Sequence, residues 1–311
     1  MKKIVSTLLT ALVISVSATA MSFPEKPVQL IVPTGAGGGL DLITRTVAEK
    51  LDGIWKSGVV VMNKPGGAAA IASQHVMSAP ADGHTILFYA STAYASAKPS
   101  TGFDYEQHFE PVSHFYSPQW VLVTNSKRNI KNLTELAELG KQKGLTYGST
   151  VAGSPLHIYG SLAIDKMKVK GILVNYKSIP QVIVDILNNQ LDFAVISYGN
   201  INQHITAGTL KPLFVFDNKK STDFPDLPNL TSPGFSDYQN LVAGYSFFIR
   251  KDTPREVRDQ VVKDLNQAIK LAMPELVQKH LVSKSGDYKL DLQNIKTMDR
   301  TFESFATKLG Q

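Results

Sequence analysis

Gly35, Gly37, Gly38 and Gly39 crowd into five positions, between the apolar run Val28-Gln29-Leu30-Ile31-Val32 and a segment with Leu40, Ile43, Val47 and Leu51 at helical spacing. A strand that runs through glycines into a helix can bind an anion. Glycines let the backbone approach a guest and take positive φ, and the first N–H groups of the helix carry partial positive charge. The neighbouring residues narrow the choice of anion. A dinucleotide site wants an acid about 20 residues on, at the end of the next strand, but the strand Val59-Val60-Val61-Met62 ends in Asn63. A Walker loop needs Lys and a hydroxyl residue after its last glycine, and Gly39 is followed by Leu40. A purely structural turn would use fewer glycines. Thr34, Gly35, Ala36, Gly37 and Gly38 are therefore expected to contact a ligand, with Asp41 flanking or capping the helix.

A second stretch of this kind lies in the other half of the chain. Leu145-Thr146-Tyr147-Gly148-Ser149 reads as a strand, Thr150, Val151, Ala152, Gly153 and Ser154 as a loop, and Pro155 as the first residue of a helix, a favourable start after a Ser cap. His157 sits one turn into that helix, where capping or core duty outweighs ligand contact. Ser91 and Thr92 follow the strand His84–Ala90, and Ser197 ends the strand Leu191–Ser197, so these hydroxyls are expected beside the loops. The seven histidines show no HxH or HExxH spacing and there is no cysteine, which argues against a metal site. No Gly-x-Ser-x-Gly elbow and no carboxylate pair is present, so neither a catalytic residue nor a cofactor is expected.

The elements that must position these residues alternate. Strands are expected at 28–32, 58–63, 84–90, 120–124, 145–149, 171–176, 191–197, 210–216 and 245–249, with helices between most of them. Such βαβ repeats imply parallel pairing with right-handed crossovers, which puts ligands outside the carboxyl ends of the strands. Residues 103–118 read as irregular. Two helices, Pro254 to Ala272 and Pro274 to Val282, and a C-terminal helix close the chain. Two α/β halves, each with an anion cradle, suggest a cleft between domains.

Composition sets outer limits. Lys2 and Lys3, the apolar run Ile4 to Val16 and Ala18-Thr19-Ala20 have the layout of a signal peptide over 1–20, cleaved after Ala20. Setting aside its two lysines lowers the 32 basic side chains to 30, against 26 acidic ones. The lysines are scattered among acids, so a nucleic-acid face is not expected. The mature part, about 290 residues, is near the size at which one core gives way to two.

Taken together, these motifs resemble those of the extracytoplasmic solute receptors of tripartite tricarboxylate transporters, also called Bug proteins. The resemblance rests on Ile31-Val32-Pro33, Gly35, Gly37-Gly38-Gly39 and Asp41, then Asn63, Pro65-Gly66, Ala81-Asp82-Gly83 and Thr85. It continues in Tyr176-Lys177, Gly208, Leu210, Ile249 and Thr253-Pro254. It implies a two-domain, type II periplasmic-binding-protein-like α/β fold with mixed, mostly parallel sheets and a cleft that closes on its ligand. Domain I would take 21–120 and 246–311, and domain II 121–245. The resemblance also implies a periplasmic location and a carboxylate held between the two loops. The expected partners are two membrane transporter subunits or, as an alternative, a membrane sensor kinase. A monomer is expected, and an exported enzyme acting on a small anion is the less favoured alternative. Where the family usually reads Gly-Thr-Ser-Ser-His, this chain has Gly153-Ser154-Pro155-Leu156-His157. Its pocket is thus expected to be less polar, suited to one well-held carboxylate on an apolar or aromatic body.

Overall fold

The computed structural model describes residues 23–116, 119–150, 153–282 and 292–310. The leader expected over 1–20, and Val151 and Ala152 of the second loop, lie outside them. The strands are β1 (Val28–Val32), β2 (Val59–Asn63), β3 (Thr85–Ala90), β4 (Phe109–Tyr116) and β5 (Trp120–Asn125), then β6 (Leu145–Ser149), β7 (Gly171–Asn175), β8 (Phe193–Ser197), β9 (Leu210–Phe216) and β10 (Gly244–Arg250). The helices are α1 (Gly39–Trp55), α2 (Ala70–Ser78), α3 (Ser91–Thr101), α4 (Tyr105–His108) and α5 (Leu133–Lys143), then α6 (Pro155–Met167), α7 (Ile179–Leu187), α8 (Tyr198–Thr206), α9 (Arg255–Gln278) and α10 (Leu292–Lys308).

Two five-stranded sheets result, in the orders β2-β1-β3-β10-β4 and β7-β6-β8-β5-β9. They share one plan. Three parallel strands joined by helices (β2-β1-β3 and β7-β6-β8) are extended by two antiparallel ones. The chain passes from the first sheet to the second between β4 and β5 and returns between β9 and β10.

Two expectations need correction. The stretch read as irregular contains α4 and β4, an eight-residue edge strand. Pro111 hides it, because proline suits only edges and bulges of a sheet. Pro111 sits at such a place, where the β10 register shifts between Phe247 and Phe248. The same device recurs in β9, the edge of the second sheet, where Pro212 lies at the shift between Leu122 and Val123. The helix expected to stop before Pro274 instead runs on to Gln278. Its buried stripe continues past the proline through Leu276, and packing holds the last turn despite the missing N–H. Finally, no loop intervenes after β3: α3 begins directly at Ser91, so Ser91 and Thr92 are the first residues of a helix.

One core surrounds the first sheet and takes in Ile43, Val47 and Leu51 of α1 and Val261, Leu265 and Ile269 of α9. On one face of the second sheet, α6 packs with Phe193 and Phe214. On the other, Val182 and Ile186 of α7 pack against Val121 and Val123. The C-terminal helix α10 gives Ile295, Met298, Phe302 and Phe305 to the α6 side. It also lies along α3, to which Lys98–Glu303 ties it at 3.4 Å.

Candidate ligand cleft

In each sheet the chain order reverses beside its first parallel strand, between β1 and β3 and between β6 and β8. Such switch points open a crevice at the carboxyl ends of the strands. The helices α1, α3, α6 and α8 all begin there, at Gly39, Ser91, Pro155 and Tyr198. Their unpaired N–H groups and dipoles favour negative charge.

The first loop is tied down by its own neighbourhood. The Gly37 N–H donates to Asp41 Oδ2 at 2.8 Å, with Gly37 at φ +80°. Arg45 Nε donates to the same carboxylate at 3.0 Å, and Asn63 Nδ2 at 2.9 Å. Asn63 also donates to the Thr34 carbonyl at 3.0 Å, so one amide grips both ends of the loop. Burial works against the charge on Asp41, but the bonds from Arg45, Gly37 and Asn63 outweigh it and hold the carboxyl below its ordinary value. Asp41 is thus an ionised brace beneath the loop. Gly35, Ala36 and Gly37 remain exposed and Thr34 and Gly38 half-buried.

The second loop repeats the arrangement with a different side chain. The Gly153 N–H, at φ +76°, donates to His157 Nδ1 at 3.1 Å. That bond requires the proton on Nε2, and burial pushes the imidazole below its ordinary pKa, keeping it neutral. In both loops, then, a left-handed glycine bonds to the side chain four residues on. Ser154 Oγ lies 3.4 Å from Ser149 Oγ, Thr150 is half-buried, and the Ser197 hydroxyl accepts a bond from Asn200.

The two halves meet at this edge. A Cβ added to Gly153 would come within 3.2 Å of Ser96 Cβ and 3.3 Å of the Ala97 nitrogen, so the second loop rests directly on α3. Tyr198, at the start of α8, packs its ring on His280 with centroids 4.6 Å apart.

The hydroxyls fare differently from one another. Ser91 is fully buried and faces Asp299 of α10, whose carboxyl also accepts a bond from the Tyr105 hydroxyl. Ser91 thus sits where the start of α3 meets α10. Burial pushes Asp299 up to about 7. Thr92 Oγ1 and Thr34 Oγ1, like Ser91 Oγ, are shielded from solvent and find no hydrogen-bond partner among the described residues. A buried hydroxyl without a partner costs about 1–3 kcal/mol. These two flank the β1/β3 switch point.

Sequence reasoning missed Asn63 as a brace, treating it only as the acid a dinucleotide site lacks. Its position at the end of β2, beside β1, was the available signal. It also missed Tyr105 and Asp299. Among the described residues there is no group of three side chains suited to a metal ion, and no helix long and apolar enough to cross a membrane.

Comparison with known proteins agrees with this geometry. The family model described as tripartite tricarboxylate transporter family receptor matches residues 43–299. The chain is 27% identical over 266 residues to the protein BugT of Bordetella pertussis, covering 84% of this chain and 80% of that protein. Among solved structures it is similar to the periplasmic binding protein BugD, with a TM-score of 0.74, 24% identity, and 92% and 96% of the two chains covered. It is also similar to the R. palustris protein Rpa4515 with adipate, with a TM-score of 0.76, 21% identity, and 93% and 96% covered.

Proposed function

Because the chain belongs to the tripartite tricarboxylate transporter receptor family, we propose that it is an exported receptor that captures a small organic carboxylate and delivers it to the membrane subunits of such a transporter. Cleavage after Ala20 would release it, as a monomer, into the periplasm. The ligand lies between domain I, formed by 21–120 with 246–311, and domain II, formed by 121–245, with α10 lying across both.

The observation that carries this reading is the pair of braced glycine loops at the two switch points. Asp41 and His157 each take one loop N–H, which fixes the loops and leaves their other donors for a guest. The unpartnered Thr34 and Thr92 hydroxyls stand where a carboxylate would accept from them. The binding set is Thr34 to Gly38 with Ser91 and Thr92 on one side, and Thr150 to Ser154 with Ser197 on the other. Adipate, which Rpa4515 holds, supports a carboxylate as the class.

Magnitudes require closure. A helix terminus gives a charge about 0.3–1 kcal/mol, or ~2 when partly buried. Micromolar affinity needs about 8 kcal/mol. Several charge-assisted bonds at roughly 1.5–3 kcal/mol each, made in a cleft shut off from water, reach that figure. A thermal-shift screen over mono-, di- and tricarboxylates and amino acids tests the reading. A carboxylate should raise the melting temperature by mass action and be recovered unchanged by mass spectrometry. A chemically altered ligand would point to the enzyme instead.

A further inference from the structure

We propose that the hollow between β7 and α7 receives the tail of the bound acid, and that the ligand is an elongated carboxylate with an apolar body, not a compact polyacid. This rests on the reading of the cleft as a carboxylate site.

The hollow measures about 570 Å³ and is lined by Asn175, Tyr176, Lys177, Pro180, Val184 and Asp185. That volume lies within the range of about 300–1,000 Å³ usual for small-molecule sites. It begins one strand away from the second loop. Asn175 is the register partner of Ser149, and the Tyr176 N–H donates to the Ser149 carbonyl at 2.7 Å. Neighbouring strands are about 4.8 Å apart. An acid whose carboxylate lies over 150–154 therefore enters the hollow with a tail of about four carbon–carbon bonds. Both β2 and β7 are outer strands on the side away from the chain crossings. A tail leaving the switch point towards β7 thus runs outward, without meeting the connections between the halves.

The chemistry of the lining selects the tail. The Tyr176 hydroxyl donates to Asp185 Oδ2 at 2.7 Å, and Gln181 Oε1 accepts from the Lys177 N–H at 3.0 Å. The side chain of Lys177 is exposed, so its stem lines the hollow while its ammonium stays hydrated. With these polar groups engaged, the surface left for a guest is mainly the Tyr176 ring, Pro180 and Val184, with the amides of Asn175 and Gln181 at its margin. Val184 is 53% exposed, an apolar side chain that α7 leaves uncovered. An apolar tail laid over it removes that surface from water. A second carboxylate there would meet Asp185, with only the amides of Asn175 and Gln181 and a solvated lysine to receive it.

Titration calorimetry with propanoate, butanoate, hexanoate, octanoate, 3-phenylpropanoate and citrate, on the wild type and on Val184→Asp, tests this. In the wild type, affinity should climb by up to about fourfold for each methylene buried beyond butanoate, and citrate should bind more weakly than hexanoate. Val184→Asp, a change on an exposed helix face, should flatten the climb and leave propanoate unaffected. Octanoate binding no tighter than propanoate would overturn the tail site and leave the carboxylate reading standing. So would a variant that loses affinity equally for every chain length. Failure of every acid to bind would overturn the carboxylate reading itself, and the tail site with it.

Discussion

Asp41 shows how a residue that need not touch the ligand governs the site. It accepts from Gly37, Arg45 and Asn63, and removing it leaves a loop N–H and an amide without their acceptor. Asp41→Ala should therefore lower unfolding free energy by about 1–3 kcal/mol in urea titrations and weaken carboxylate binding at least tenfold. Asp41→Asn, which keeps an acceptor oxygen for Gly37, should recover part of both. Asp299 is the counterpart behind the start of α3, with its carboxyl pushed up to about 7 by burial in the α3–α10 contact. Its folded form holds a proton that the unfolded chain releases above the ordinary carboxyl range. Stability from this group is thus fully present at low pH, is lost as pH rises from about 4 towards 7, and is level above that. The slope is about 1.4 kcal/mol per pH unit. Wild type should melt roughly 2–4 °C lower per unit across this window, and Asp299→Asn should remove the slope. At this scale the sequence was partly legible. Asp41 and His157 stood out because each lies near the start of a helix that opens at a glycine-bearing loop. Asn63 and Asp299 did not, since their partners Asp41 and Tyr105 lie 22 and 194 residues away.

Elements were legible where hydrophobic period and turn chemistry agreed, as in α1 with its stripe of Ile43, Val47 and Leu51. Local chemistry also starts α5, where the Asn132 side chain accepts from the Glu135 N–H at 2.9 Å and the Glu135 side chain accepts from the Lys131 N–H, just before the cap, at 2.8 Å. Prolines misled the reading in opposite directions. Pro111 concealed an edge strand, and Pro274 suggested a break that packing through Leu276 overrides. Both outcomes depend on tertiary neighbours that no local window contains. The two left-handed glycines make a prediction at this scale. A Cβ on Gly37 meets nothing within 4 Å, whereas one on Gly153 presses on α3 at 3.2 Å. Gly37→Ala should cost only the backbone strain, about 1–2 kcal/mol. Gly153→Ala should cost more, because the loop must also lift off Ser96 and Ala97. Urea titrations of the two variants would check the order, and calorimetry should show the larger loss of affinity in Gly153→Ala.

At the scale of the whole molecule, the two sheets follow one plan, with each glycine loop set at a reversal of strand order. That symmetry was foreshadowed by two strand–loop–helix stretches in opposite halves. The return of β10 to the first sheet was expected only from the family resemblance, since pairing across more than a hundred residues leaves no local mark. Contacts between the halves are of two kinds: the local touches of Gly153 on α3 and Tyr198 on His280, and α10, which lies along α3 while giving Ile295, Met298, Phe302 and Phe305 to the core on the α6 side. In the proposed closure the two local touches part and re-form around a guest, and α10 stays seated. Capture by closure is the central claim, and small-angle scattering tests it directly. With a carboxylate from the thermal screen at saturation, the radius of gyration should fall relative to the ligand-free protein, and the fall should vanish in Asp41→Ala at the same ligand concentration. An unchanged radius in the wild type at proven saturation would contradict closure.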